Sequence, residues 1–200
     1  MSVPALTSAD AAAFALTIAA GGVAVFPADT VYGLAAAPGD LAAVARLYEL
    51  KGRAPSKPAA LMWFDRERAL AALPALGART RGALERLLPG GVTVLLPDPD
   101  TPGAALGLRV PRLDGPLAAL AGVELPVLQS SANHAGGADP RSLGEVPAEI
   151  RAGADLVLDA GPLPGTASTV IDLRGYESGG AWEIVRVGAV PVDAVAAALA

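Results

Sequence analysis

The chain has 200 residues, 52% of them hydrophobic and 18% charged, and a net charge of −5. This length predicts one domain spanning residues 1–200, and the apolar content excludes a disordered chain. Cysteine is absent and His134 is the single histidine, which excludes disulfides, cysteine nucleophiles and zinc sites built from several histidines. An acidic chain is also a poor candidate for binding nucleic acid through bulk electrostatics.

A charge-free stretch, residues 11–28, is long enough to cross a membrane but is interrupted by Gly21, Gly22 and Pro27. We interpret it as a buried helix, a break and a buried strand. The first basic residue is Arg46, so the positively charged start of a secretory signal is missing. The expected location is therefore the cytoplasm, without membrane contact.

Predicted helices and strands are mixed along the whole chain. Thr7 or Ser8 can cap the first helix, and Asp40 can cap the second. Helices are predicted over residues 8–20, 40–50, 65–73, 78–88, 140–152 and 192–199. Strands are predicted over 23–26, 31–36, 59–64, 92–96, 106–110, 127–130, 156–158, 168–173 and 182–187. This mixture predicts an α/β fold, with a large, twisted, mixed β-sheet flanked by helices.

Polar and cationic groups recur at the ends of these strands, where ligands bind in α/β sheets. Lys51 and Arg53 form the best anion-binding pair, because a compact ammonium and a planar guanidinium suit phosphates. Ser131 and Asn133 share the spacing of two residues and can add neutral hydrogen bonds. Arg109 can grip a carboxylate with both of its terminal nitrogens.

Each of these features also has a purely structural interpretation. The alternatives are solvated charges beyond a helix C-terminus for Lys51 and Arg53, an ordinary side-chain turn for Ser131 and Asn133, a structural carboxylate partner for Arg109, a cap or turn for Asp29, and a plain loop position for His134.

Seven short motifs follow one another along the chain. They are Pro27–Leu34 (PADTVYGL), Lys51–Pro58 (KGRAPSKP), Pro89–Thr93 (PGGVT), Arg109–Pro111 (RVP), Ser131–Gly136 (SANHAG), Ser168–Val170 (STV) and Arg186–Gly188 (RVG). In this order the chain resembles the YrdC-like family of L-threonylcarbamoyladenylate synthases, in its short single-domain form. It departs from the family pattern at Ala28, Gly91, Leu113 and Ala135.

The resemblance implies an enzyme that makes threonylcarbamoyl-AMP and pyrophosphate from L-threonine, bicarbonate or CO₂, and ATP. The product feeds the t6A modification of adenosine 37 in tRNA, which partner proteins complete, and a weak direct contact with tRNA is a further expectation. Mg²⁺ is expected to arrive with ATP, so the protein itself needs no metal cage.

The same resemblance assigns roles to individual residues. It implies that Lys51 and Arg53 are catalytic and bind ATP together with Ser131, Asn133 and Arg186. It implies that Thr30, Arg109 and Ser168 bind threonine.

Three other functions stay open at this point. The first is a non-enzymatic RNA-binding module on the YrdC fold. The second is a related carbamoyl-transfer enzyme with a different acceptor, since a fold is shared more widely than an activity. The third is an apolar scaffold in which the motif residues are only structural.

Overall fold

The computed structural model describes residues 5–52 and 59–200. The α-helices are α1 (Ser8–Ala19), α2 (Leu41–Leu50), α3 (Arg66–Ala71), α4 (Ala78–Leu87), α5 (Ala148–Gly153), α6 (Tyr176–Gly179) and α7 (Val192–Leu199). The strands are β1 (Ala24–Pro27), β2 (Tyr32–Ala36), β3 (Ala60–Met62), β4 (Val92–Pro97), β5 (Ala105–Arg109), β6 (Val127–Ser131), β7 (Leu156–Val157), β8 (Thr169–Asp172) and β9 (Glu183–Arg186). Gly115–Gly122 and Leu143–Glu145 form 3₁₀ segments.

Over the described residues, the nine strands form one sheet in the order β7-β1-β2-β6-β3-β5-β4-β8-β9. The pairs β1–β7, β3–β5 and β4–β8 are parallel, and the remaining neighbours are antiparallel. The prediction of an α/β fold with a large mixed sheet flanked by helices is therefore confirmed.

The first two helices begin where their capping residues predict. The Thr7 hydroxyl accepts a hydrogen bond from the Asp10 N–H at 3.2 Å, and the Asp10 carboxylate accepts one from the Thr7 N–H at 2.8 Å. This reciprocal pair satisfies two backbone donors at the start of α1. Asp40 accepts hydrogen bonds of 3.0 Å from the N–H groups of Ala42 and Ala43, which fixes the start of α2.

Helices cover both faces of the sheet because alternate residues of β1 point in opposite directions. Phe26 packs with Phe14 of α1 and with Phe64, and the ring centroids of Phe14 lie 5.0 and 5.6 Å from those of Phe26 and Phe64. Val25 belongs instead to a cluster with Leu47 of α2. Within the described ranges, no helix has the length and apolarity needed to cross a membrane.

One predicted helix is wrong over half its length. The helix predicted over residues 140–152 is a single 3₁₀ turn at Leu143–Glu145 followed by α5. The reason is Pro147, which has no N–H and cannot occupy a helix interior, and it caps α5 instead. The chain therefore changes direction between Pro140 and Pro147 and packs Val146 and Ile150 into the core.

Candidate active site

A cavity of about 290 Å³ lies against the middle of the sheet. Four residues that the sequence singled out line it together: Arg109 at the end of β5, Ser131 at the end of β6, Ser168 before β8 and Arg186 at the end of β9. Thr93, Gln129 and Asp139 also line it. Residues from four strand ends that are distant in sequence therefore meet around one space.

Lys51 reaches the serine–asparagine turn from the C-terminal end of α2. Its side chain is almost completely buried, at 2% exposure. The ammonium group donates hydrogen bonds to the carbonyl oxygen of Ser131, to that of Asn133 at 2.8 Å, and to Asn133 Oδ1 at 3.0 Å. The alternative of a solvated cation is thus wrong for Lys51. Its predicted partner Arg53, and Lys57 further along the motif, lie outside the described residues.

The turn itself is held by hydrogen bonds between its own side chains. Ser131 Oγ donates to Asn133 Oδ1 at 2.8 Å, as in the side-chain turn that was the structural alternative for these two residues. Asn133 Nδ2 donates to the carbonyl oxygen of Gly137 at 2.7 Å. The donors of both side chains are engaged within the turn, so a bound anion must exchange with these partners.

Arg109 is buried, at 3% exposure, and is held by two side chains from the loop after β1. Its Nη2 donates to Asp29 Oδ1 and, at 3.0 Å, to Thr30 Oγ1. The Nε group of Arg109 has no hydrogen-bond partner among the described residues. Arg109 nevertheless lines the cavity, so part of its side chain faces the space that a ligand would occupy.

Asp29 is the carboxylate partner of Arg109, as the structural alternative for Arg109 predicted. Its second oxygen accepts a 3.0 Å hydrogen bond from the N–H of Arg112. Burial raises the pKa of Asp29, and the charge of Arg109 together with the Arg112 N–H opposes that increase. Burial likewise lowers the pKa of Arg109, and the charge of Asp29 opposes the decrease. A guanidinium stays protonated at neutral pH, so Asp29 faces a permanent positive charge.

Ser168 connects two further side chains of the cavity. Its hydroxyl lies 2.7 Å from Thr93 Oγ1, and its carbonyl oxygen accepts a 2.8 Å hydrogen bond from Arg186 Nη2. Arg186 Nη2 also donates to the Ser168 hydroxyl at 3.3 Å. The structure therefore places Arg186, expected to bind ATP, directly against Ser168, expected to bind threonine.

The sequence-based reasoning missed Gln129 entirely. Gln129 lies in β6, two residues before Ser131, and lines the cavity although only 5% of it is exposed. The available signal was weak: Gln129 follows Val127 and Leu128 in a predicted strand, and an amide in a strand buried on both faces needs a polar partner. Among the described residues, no group of three or more acidic or histidine side chains could hold a metal ion.

Comparisons with known proteins agree with this geometry. The family model Sua5_yciO_yrdC, described as "Telomere recombination", matches residues 17–188. A threonylcarbamoyl-AMP synthase of Chromohalobacter salexigens is 36% identical over 79% of this chain and 89% of its own length. One of Pyrococcus abyssi is 28% identical over 88% of this chain but only 53% of its own length.

A solved structure extends the comparison to three dimensions. Sua5 of P. abyssi, in a crystal structure complexed with L-threonine, aligns with a TM-score of 0.83 and 26% identity. The alignment covers 96% of this chain and 58% of that one, so the chain spans little more than half of the solved relative. With a family model that matches most of its length and a relative that is 36% identical, the chain belongs to the Sua5/YciO/YrdC family.

Proposed function

We propose that this protein is a threonylcarbamoyl-AMP synthase that acts as a single domain on L-threonine, bicarbonate or CO₂, and ATP. The observation that carries the proposal is the cavity itself, in which buried Arg109 and Ser168 face a serine–asparagine turn held by buried Lys51. The relatives named threonylcarbamoyl-AMP synthase, and the related Sua5 with L-threonine, support the same reaction.

The reaction joins two anions, and this determines what the site must do. The amine of threonine adds to CO₂ and loses a proton, which gives a carbamate. A carbamate oxygen then attacks the α-phosphorus of ATP, the bond to the β-phosphate oxygen breaks, and pyrophosphate leaves. Because both reactants are negative, cations fixed in a partly dehydrated site stabilise the charge that develops in the transition state.

The residues divide between the two substrates. In the proposal, Arg109 and Ser168 hold the threonine carboxylate, and Thr30 takes part by holding the Arg109 guanidinium through its 3.0 Å hydrogen bond. Lys51 and Arg53 with Ser131, Asn133 and Arg186 hold the phosphates and the carbamate. Lys51 acts by fixing the turn and by placing its positive charge beside it.

Mg²⁺ completes the proposal as an ion that arrives on the phosphates of ATP. It typically binds few protein carboxylates and keeps several waters. Asp139 supplies one carboxylate on the cavity wall, where its Oδ1 accepts a 3.3 Å hydrogen bond from Asn133 Nδ2. When bound, the ion neutralises charge on the phosphates.

We place the enzyme in the cytoplasm, where its product would pass to the proteins that complete t6A. We also propose a weak direct contact with tRNA.

One experiment tests the proposed function against its alternatives. The protein is incubated with ATP, Mg²⁺, bicarbonate and each amino acid separately, and the adenylate products are identified by mass spectrometry. Threonylcarbamoyl-AMP in the threonine sample alone supports the proposal. An adduct with a different acceptor identifies a related carbamoyl-transfer enzyme. No adenylate in any sample, with salt-dependent retention of tRNA on a filter, identifies an RNA-binding module.

A further inference from the structure

Gln129 carries a side-chain amide that has no hydrogen-bond partner among the described residues. The residue is 5% exposed, and no hydrogen bond to its side chain occurs within residues 5–52 and 59–200. Its amide atoms are not sealed in the core, because Gln129 lines the 290 Å³ cavity. Polar groups removed from water are almost always paired in proteins. An unpaired amide at a cavity wall is therefore available for a ligand.

The surrounding strands are shaped to keep this amide in place. Gly33 of β2 lies beside β6, and a Cβ atom on it would come within 2.6 Å of Gln129 Nε2. Glycine therefore creates the space that the amide occupies. Ala60 is paired with Gln129 in the neighbouring strand, and beyond it Gly107 also lines the cavity floor.

Gln129 and Arg109 offer two kinds of polar group to the same cavity. Both residues line its wall, and its volume of about 290 Å³ can hold a molecule the size of an amino acid. The guanidinium of Arg109 is cationic and can bind a carboxylate, whereas the amide of Gln129 is neutral and can both donate and accept.

The chemistry of the substrate then identifies the group at the amide. This step rests on the proposed function. Of the polar groups of threonine, the carboxylate pairs with the guanidinium of Arg109, and the amine must stay free to add CO₂. The hydroxyl remains, and it can accept from the amide N–H and donate to the amide oxygen. We propose that Gln129 is a specificity-determining residue that binds the side-chain hydroxyl of the amino-acid substrate and rejects its apolar isostere, valine.

Binding measurements test this assignment without depending on turnover. Titration calorimetry measures the affinities of L-threonine, L-serine and L-valine for the wild-type protein, for Gln129→Met and for the control Leu128→Met. Methionine matches the length of glutamine but offers no amide. Leu128 is the adjacent residue on β6, so its side chain points to the other face of the sheet. A site built to bind a hydroxyl rejects the analogue that lacks it by a large factor.

We expect the wild-type protein to bind threonine at least about 100-fold more tightly than valine. Gln129→Met should reduce that ratio at least about tenfold, weaken serine in parallel with threonine, and leave or improve valine binding. Leu128→Met should keep the wild-type ratio. A structural role for Gln129 would instead weaken all three ligands together, and an unchanged threonine-to-valine ratio in Gln129→Met overturns the inference.

Turnover separates this inference from the proposed function. If the wild-type protein makes threonylcarbamoyl-AMP but the ratio is unchanged in Gln129→Met, the inference is wrong and the function stands. If the protein makes no adenylate but loses its preference for threonine in Gln129→Met, the function is wrong and the inference stands. Absence of measurable binding of any amino acid contradicts the inference directly.

Discussion

Asp29 and Arg109 form an ion pair across the wall between two cavities. The side chains of Asp29 and Arg109 are 8% and 4% exposed. Arg109 lines the 290 Å³ cavity of the candidate active site, whereas Asp29 lines a second cavity of about 720 Å³. Thr30 also lines the second cavity and accepts a hydrogen bond from Arg109. The pair therefore fixes the position of the guanidinium that faces the substrate.

Asp29→Asn is expected to destabilise the protein strongly. The amide keeps the shape of the carboxyl but removes its charge, which leaves the Arg109 charge buried without a counterion. Breaking a buried pair in this way costs about 3 kcal/mol or more. Urea unfolding measures the loss, and Asp114→Asn, an exposed carboxylate, is the control. Equal stabilities of the two variants would contradict a structural role for the ion pair.

Arg109→Lys is expected to raise the KM for threonine at least about tenfold and to change the KM for ATP little. Lysine retains a positive charge for Asp29, but an ammonium cannot present the planar, forked donors with which a guanidinium binds a carboxylate. Steady-state pyrophosphate release, with each substrate varied in turn, measures both constants. An increase confined to the KM for ATP would show that Arg109 belongs to the nucleotide side of the site.

The Asp155 carboxylate should contribute to the stability of the protein at a pH above the ordinary pKa of an aspartate. This contribution should be lost as the pH falls below that value. Hydrogen bonds from Arg46 and from the Val23 N–H lower the pKa of Asp155 in the folded state. A lowered pKa stabilises the fold at higher pH, and this contribution disappears as the pH falls through the folded-state value. Both side chains of the Arg46–Asp155 pair are 41% exposed, so the effect at neutral pH is below about 1 kcal/mol.

Asp155→Asn provides the measurement. Its free energy of unfolding in urea should lie below that of the wild-type protein at about pH 7, and the difference should shrink as the pH falls below the ordinary pKa of an aspartate. A difference that persists unchanged at acidic pH would show that Asp155 acts through the geometry of its hydrogen bonds and not through its charge.

The sequence predicted those parts of the site that depend on local pattern. Lys51 and the Ser131–Asn133 turn carry recognisable residue types at short spacing, and the fold brings them into contact at 2.8 Å. The class of fold also followed from local signals, because caps such as Asp40 and short apolar runs fix most helices and strands. The helix predicted over residues 140–152 is wrong before Ala148, because the prediction did not treat Pro147 as a helix breaker.

The parts that could not be predicted depend on pairing between distant strands. Asp29 and Arg109 are 80 residues apart, and no local pattern states that a loop after β1 meets the end of β5. Gln129 is one of three polar residues in β6, and the space around its amide depends on Gly33 in one neighbouring strand, while Ala60 pairs with it in the other. Such relationships appear only when the strand order is known.

Lys51→Met is expected to lower the rate of threonine-dependent pyrophosphate release at least roughly tenfold, equivalent to about 1.4 kcal/mol of activation free energy. Methionine fills much of the same buried volume, but it removes the positive charge and the hydrogen bonds that Lys51 donates to Ser131 and Asn133. The turn then loses both its position and the field that would stabilise the phosphates. Single-turnover rates at saturating threonine and ATP measure this effect.

Arg46→Met is the matched control, because it removes a half-exposed cation from the same helix, α2. Its ion pair with Asp155 lies away from the cavity, so its effect should be confined to a small loss of stability. If Lys51→Met and Arg46→Met reduce the rate equally, the loss reflects the helix and not the ammonium group. A rate that falls only in Lys51→Met, with an unchanged melting temperature, shows that the charge of Lys51 stabilises the transition state.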